Sequence, residues 1–219
     1  MADAYHKGEG VERNLQLATK YYQAAAEKGL RIGQFNLGVA LLRDAGGAPD
    51  LQKKAITFFK KAGDTGLPQA QYAVGLNCLI GRGVDRMDEV GLKWIELGAK
   101  QGFGVAQTCL GLIYLSGHGR IRSNRDEAFD WFQKASTGGN LIATIYTGFC
   151  FLRGLGTGPN FVRAKGIIAG ARKEAEERAA RGEAQGDDSV VLSEAFEMIE
   201  KMEKLLAESP SESLEESSI

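Results

Sequence analysis

The feature that most restricts the fold of this chain is a repeat of 36 to 37 residues. Glycine recurs at that interval in two registers, and a third register holds alanine or glycine. A period of this length is typical of stacked units that bury their apolar faces against one another, and it argues against one closed core. The registers are Gly29, Gly66, Gly102 and Gly139; Gly38, Gly75, Gly111 and Gly148; and Ala18, Ala55, Gly91, Ala128 and Ala164.

Each unit is predicted to hold a first helix and a second helix joined by glycine-rich turns. In the third full copy the first helix runs from about Val105 to Ser116, and glycines at 117 and 119 end it because glycine readily adopts the left-handed conformation. The second helix begins near Asn124, whose side chain is a suitable N-cap. The matching place in other copies holds, within one residue, Asn14, Asp50, Asp88 and Asn160.

Composition favours an ordinary water-soluble chain without bound cofactor or metal. Hydrophobic content is 43% and charged content 25%, both normal for globular proteins. The basic residues are scattered, which argues against nucleic-acid binding. Three cysteines without a CxxC pair predict neither disulfides nor zinc, so the reducing cytoplasm is the expected compartment. The N-terminus lacks an apolar signal segment, and no stretch is long enough to span a membrane.

Candidates for catalysis are weak. The two histidines, His6 and His118, lie far apart in the array and beside no recurring cysteine. A glycine-rich segment at 154–158 resembles a phosphate loop, but it follows a predicted helix instead of a strand and recurs as a turn in the other copies. The sequence therefore predicts no catalytic residue, and the chain is not expected to be an enzyme.

The pattern A-x-x-x-L-G-x-x-Y-x-x-G-x-G, then A-x-x-W-x-x-x-A-x-x-x-G, resembles the Sel-1-like repeat, a relative of the tetratricopeptide repeat. Residues 106–119 match it closely, and so do residues 70–84 and 5–11. The resemblance covers about residues 1–171. It implies an all-α fold: a right-handed superhelical α/α solenoid of helix-turn-helix repeats with C-terminal capping helices.

Four segments are expected along the chain. They are a partial N-terminal repeat at 1–29, repeats with an extended last helix at 30–182, an amphipathic capping helix at 187–208 and a disordered, acidic, serine-rich tail at 209–219. The first unit lacks half of its first helix, so the chain is expected to be a piece of a longer array or to begin with a lone second helix. Either this end or the C-terminal helix is a possible site of self-association.

The first helices are the expected partner surface, because in related helical repeats they line the concave face. Positions are counted from the glycine within each first helix, which is Gly38, Gly75, Gly111 or Gly148. The residues two before, two after and five after this helix glycine form one stripe, and they vary between copies. The residues three before, one after and four after it form a second stripe, which is uniformly apolar and favours packing between repeats; the sequence leaves open which stripe is exposed. The candidate partner-binding residues are Asn36, Arg43, Asn77, Ile80, Ile113, Ser116, Tyr146 and Arg153.

These features predict a non-catalytic scaffold or adaptor that binds a peptide, a helix or a protein in a concave groove. The alternative is a regulatory subunit that activates or inhibits one bound enzyme. The identity of the partner does not follow from the sequence.

Overall fold

The chain folds as a succession of α-helices. The computed structural model describes residues 1–182 and 188–208, so the predicted tail at 209–219 lies outside the described residues. Eleven helices occur in the described part, and the expected all-α class of repeated helix pairs is confirmed. They are α1 (Ala2–Lys7), α2 (Leu15–Glu27), α3 (Arg31–Asp44), α4 (Pro49–Asp64), α5 (Pro68–Ile80), α6 (Asp88–Lys100), α7 (Gly104–Ser116), α8 (Arg125–Thr137), α9 (Leu141–Arg153), α10 (Phe161–Ala180) and α11 (Asp188–Ala207).

The helices group into two compact units. Unit 1 contains Met1–Ala106 with the short segment Gly119–Ile121, and unit 2 contains Gln107–His118 with the described residues from Arg122 onward. Helices α3, α5, α7 and α9 are the first helices of four complete repeats, and α4, α6, α8 and α10 are their second helices. The short α1 precedes α2 in the place of a first helix.

Asparagine caps begin several second helices, as the sequence predicted. The Oδ1 atoms of Asn14, Asn124 and Asn160 accept hydrogen bonds from backbone amides three residues later, at 2.9, 3.3 and 2.8 Å. The same expectation is wrong for Asp50 and Asp88, because α4 and α6 begin before or at these residues and neither aspartate is the N-cap. Both carboxylates lie instead in the first helical turn, where they face the positive end of the helix dipole.

Each first helix packs closely on the second helix of its own repeat at a glycine. A Cβ atom added at Gly38, Gly75, Gly111 or Gly148 would come within 3.0 Å of a bulky side chain. These bulky neighbours all lie on the second helix of the same repeat, and they are Phe59, Ile95, Phe132 and Ile168. A side chain in place of the glycine would separate the two helices, so the recurrence of glycine has a packing cause.

The second glycine of the turn holds consecutive repeats together. Gly83, Gly119 and Gly156 have φ angles of 68°, 56° and 68°, a left-handed conformation that other residues rarely adopt. In each case an added Cβ would also collide with the beginning of the preceding second helix. The turn therefore requires glycine both for its conformation and for the close approach.

The last described helix covers the apolar side of the final repeat. Leu192, Ala195 and Ile199 of α11 are buried against a cluster that includes Leu141 of α9 and Ile168 of α10. A bidentate pair also joins Arg172 of α10 to Glu203 of α11, with N···O distances of 2.7 and 2.6 Å. Within the described residues, none of the helices combines the length and the apolar character needed to cross a membrane.

Candidate functional site

One face of each first helix remains open to solvent. It consists of the residues six before, two before, one after and five after the helix glycine, which at about 100° per residue fall within an arc of about 60°. Each of these residues is exposed or only partly buried, and we call them the first-helix stripe. Its members are Ile32, Asn36, Val39 and Arg43 on α3; Gln69, Ala73, Leu76 and Ile80 on α5; Val105, Cys109, Leu112 and Ser116 on α7; and Ile142, Tyr146, Phe149 and Arg153 on α9.

Six of the eight candidate residues lie on this stripe, and two do not. The position two after the helix glycine, occupied by Asn77 in α5 and Ile113 in α7, is turned about 40° beyond the edge of the arc. The exposed fractions of Asn77 and Ile113 are only 4% and 6%, and Ala40 and Cys150 at the same position are also buried. Buried side chains cannot contact a partner, so Asn77 and Ile113 are no longer candidate partner-binding residues.

The stripe also gains apolar residues that sequence reasoning assigned to packing between repeats. The residue one after the glycine is Val39, Leu76, Leu112 or Phe149. Val39 is 41% exposed and Leu112 is 36% exposed. The available signal was helical spacing, because this position is four residues before Arg43 or Ser116, and residues four apart share one face. Because the residues at this position are uniformly apolar, sequence reasoning assigned them to packing and not to the same face as Arg43 and Ser116.

On α3 the polar members of the stripe already have partners. Nδ2 of Asn36 donates to Oδ1 of Asp3 at 3.4 Å, and the buried Tyr22 hydroxyl donates to the same oxygen at 2.8 Å. Burial and this hydrogen bond raise the pKa of Tyr22 above its usual value. Arg43 pairs with Asp44 at 2.8 Å. The contact surface that remains on α3 is therefore largely apolar.

In unit 2 the stripe combines an ordered aromatic ring with an available cation. The ring of Tyr146 stacks on Phe132 with centroids 4.9 Å apart and an interplanar angle of 9°. Burial raises the pKa of Tyr146, and the charge of Glu194 adds to the effect. Arg153 is exposed and has no carboxylate partner within the described ranges.

The described residues hold little that resembles reactive chemistry. They contain no group of three or more His, Cys, Asp or Glu side chains placed to hold a metal ion. Burial raises the thiol pKa to about 11 at Cys109 and to about 12 at Cys150. A reactive cysteine needs a lowered pKa, so these thiols have the opposite environment. What the described first helices present to solvent is a surface suited to contacts with a partner.

Paired helices closed by glycine turns define a helical-repeat protein. The Sel1 repeat matches five segments, 1–30, 32–67, 68–103, 104–140 and 142–166. The chain therefore belongs to the Sel1 repeat family. Sel1 repeats generally mediate protein–protein interaction, and the family is typically non-catalytic.

Solved structures show the same architecture. A Sel1 repeat protein from Oxalobacter formigenes is 26% identical, with a TM-score of 0.67 over 78% of this chain and 70% of that one. A protective antigen of uropathogenic Escherichia coli with an SLR fold is 25% identical, with a TM-score of 0.70 over 91% of this chain and 44% of that one.

Curated relatives include regulators. The chitin synthase regulator SKT5 of Saccharomyces cerevisiae is 32% identical over 103 residues, which are 45% of this chain and 14% of the regulator. The chain spans between 10% and 31% of the length of the curated relatives it matches.

Proposed function

We propose that this protein is a non-catalytic adaptor that binds a peptide, a helix or a protein edge on the concave face of its repeats, through the first-helix stripe. The observation that carries the proposal is that the same four positions are unburied on all four first helices. Side chains that keep some contact with solvent in every copy can vary to suit a partner. The protein-binding role general to Sel1 repeats supports this proposal.

The chemistry of the stripe suits a partner with apolar anchors and an acidic group. Ile32, Val39 and Ile80 are 60%, 41% and 48% exposed, and partly exposed apolar side chains of this kind supply contact area on binding. Arg153 offers a cation for a carboxylate. An amphipathic helix with one apolar side and nearby acidic residues fits this description.

A second candidate function is that of a regulatory subunit. The relative named as a chitin synthase regulator in yeast favours it, since that protein acts on an enzyme. The two functions differ in one measurable respect. A regulated enzyme bound to this protein changes its rate when the protein is added, whereas a partner held only by an adaptor does not.

A pair of substitutions tests the proposed surface. Val39→Ser combined with Ile80→Ser removes two exposed apolar contacts from the part of the stripe in unit 1 without changing the core. The matched control is Val90→Ser with Val162→Ser on the second helices α6 and α10, where these valines are 41% and 84% exposed. Affinity purification with quantitative mass spectrometry compares the partners that each variant recovers.

We expect the stripe variant to lose at least about 80% of a partner that the control variant retains, since two apolar anchors contribute about 1 kcal/mol or more each when buried. Circular dichroism first establishes that both variants remain folded. Equal recovery by both variants, or selective loss in the control variant, would show that binding occurs elsewhere.

A further inference from the structure

Unit 2 contains a cleft that the first-helix stripe does not include. It has a volume of about 860 Å³ and lies between the second helices α8 and α10, with residues of α7 and α9 at its base. Its α8 wall includes Asp130, Gln133, Lys134 and Thr137. These residues are spaced by three or four, so they form one continuous face about 10 Å long.

The base of the cleft is polar as well as apolar. Gln107 and Thr147 are 8% and 5% exposed, yet both line the cleft, beside the buried ring of Phe151. Oγ1 of Thr147 donates to the Ala143 carbonyl at 2.9 Å, and a hydroxyl oxygen that donates can also accept a hydrogen bond from a peptide amide. The cleft therefore has the composition of a binding site for an extended polar chain.

Two cations border the cleft, and aromatic rings hold them in place. Nζ of Lys134 lies 4.3 Å from the ring centroid of Trp131, and Cζ of Arg163 lies 5.3 Å from that of Phe151. Cation–π contacts orient a charged group but leave most of its N–H donors available. These contacts reduce the entropy that each side chain would lose on meeting an anion.

Neither cation is neutralised within the structure. Lys134 and Asp130 are four residues apart on α8, a spacing that permits an ion pair. However, none of the carboxylates described in residues 1–182 and 190–208 lies within 4.0 Å of the charged nitrogens of Lys134 or Arg163. The cleft thus presents two unpaired positive charges against one carboxylate.

We propose that this cleft binds an acidic, extended peptide segment of a partner protein, with carboxylates of the peptide on Lys134 and Arg163. The hydroxyl oxygen of Thr147 accepts a hydrogen bond from its backbone at the base. The site is independent of the first-helix stripe, because its charged residues belong to second helices. A partner can therefore be held there while another occupies the first helices.

Fluorescence anisotropy on the full chain tests this site with a labelled eight-residue peptide of alternating glutamate and serine. Lys134→Gln with Arg163→Gln removes both cations. The control is Lys165→Gln with Lys173→Gln, which makes the same change in net charge at exposed positions of α10 outside the cleft. We expect the dissociation constant to rise at least about tenfold in the cleft variant and less than about twofold in the control.

A further variant separates the cleft from general surface charge. Thr147→Val keeps the shape of the side chain and the net charge but removes the hydroxyl at the base, and we expect a rise of about two- to fivefold in the dissociation constant. Three results would overturn the proposal: no saturable binding of the peptide, equal weakening in the cleft and control variants, or inorganic phosphate alone binding the cleft as tightly as the peptide.

Discussion

At the scale of single residues, the glycines within the first helices show how packing overrides helix preference. Glycine in a helix interior is less favourable than alanine by about 0.5–1 kcal/mol. Gly111 nonetheless lies in the middle of α7, because the ring of Phe132 occupies the space that a Cβ atom would need. Gly170 in α10 differs, since no atom lies within 4 Å of the equivalent point.

Gly111→Ala and Gly170→Ala should therefore change stability in opposite directions. We expect Gly111→Ala to lower the free energy of unfolding by about 1–3 kcal/mol through overpacking. Gly170→Ala should raise it by up to about 1 kcal/mol, since only the helix preference changes. Urea denaturation followed by circular dichroism measures both. Stabilisation by both substitutions would contradict the close packing at Gly111.

Single residues also mark where sequence reasoning succeeded and where it did not. The asparagine caps could be predicted, because capping depends on a few neighbouring backbone amides. The burial of Asn77 could not, because it depends on the neighbouring helices that cover α5. Variation between copies suggested that its position was open to partners, but residues of different size can also fill a buried position.

At the scale of elements, α11 also has some features that the sequence predicted and others that it did not. Its apolar stripe of residues three and four apart predicted an amphipathic helix, and the helix occurs at Asp188–Ala207. Its contacts with α9 and α10 depend on the final repeat, so local periodicity alone did not identify them. The Arg172–Glu203 pair joins residues 31 apart and has no signature in the sequence.

The docking of α11 predicts a large difference between two substitutions on this helix. Ile199 is 0% exposed and Val190 is 60% exposed. Ile199→Ala should destabilise the protein by about 2–4 kcal/mol because it leaves a cavity, whereas Val190→Ala should change stability by less than about 0.5 kcal/mol. Thermal denaturation and hydrogen exchange of α11 measure the two effects, and a similar cost for both would argue against this docking.

At the scale of the whole molecule, the period predicted stacked units, and the resemblance to the Sel-1-like repeat implied the all-α class. One glycine register marks where the two helices of a repeat meet, as at Gly75, and the other marks the turn into the next repeat, as at Gly66. The period did not distinguish the exposed side of each first helix, since Val39 and Leu112 have the same chemistry as core residues. Exposure depends on which neighbours a helix has, and the structure supplied that information.

The stability of the whole molecule should fall in alkaline solution. Burial raises the thiol pKa from 9.0 to about 11 at Cys109 and about 12 at Cys150, so the folded state holds these protons more tightly than the unfolded state. Their contribution is complete below the unfolded value of 9.0 and is lost as the pH rises through the folded values. Taken together, the two shifts correspond to a loss of up to about 4 kcal/mol between about pH 8 and pH 10.5.

Urea denaturation at both pH values measures this loss. A variant with Cys109→Ala and Cys150→Ala should show a shallower fall than the parent chain, because the groups that bind the extra protons are absent. The comparison is between slopes with pH and not between absolute stabilities, since the substitutions also change packing. Parallel slopes would assign the alkaline effect to other groups.

The turn between α3 and α4 differs from its counterparts in having space around it. Gly46 and Gly47 have φ angles of 50° and 95°, and an added Cβ at either would meet no atom within 4 Å. Surface turns of this kind tolerate inserted sequence. The junction between these two glycines is therefore a suitable splice point for a fluorescent reporter domain, which would allow binding to be followed in living cells without a terminal tag.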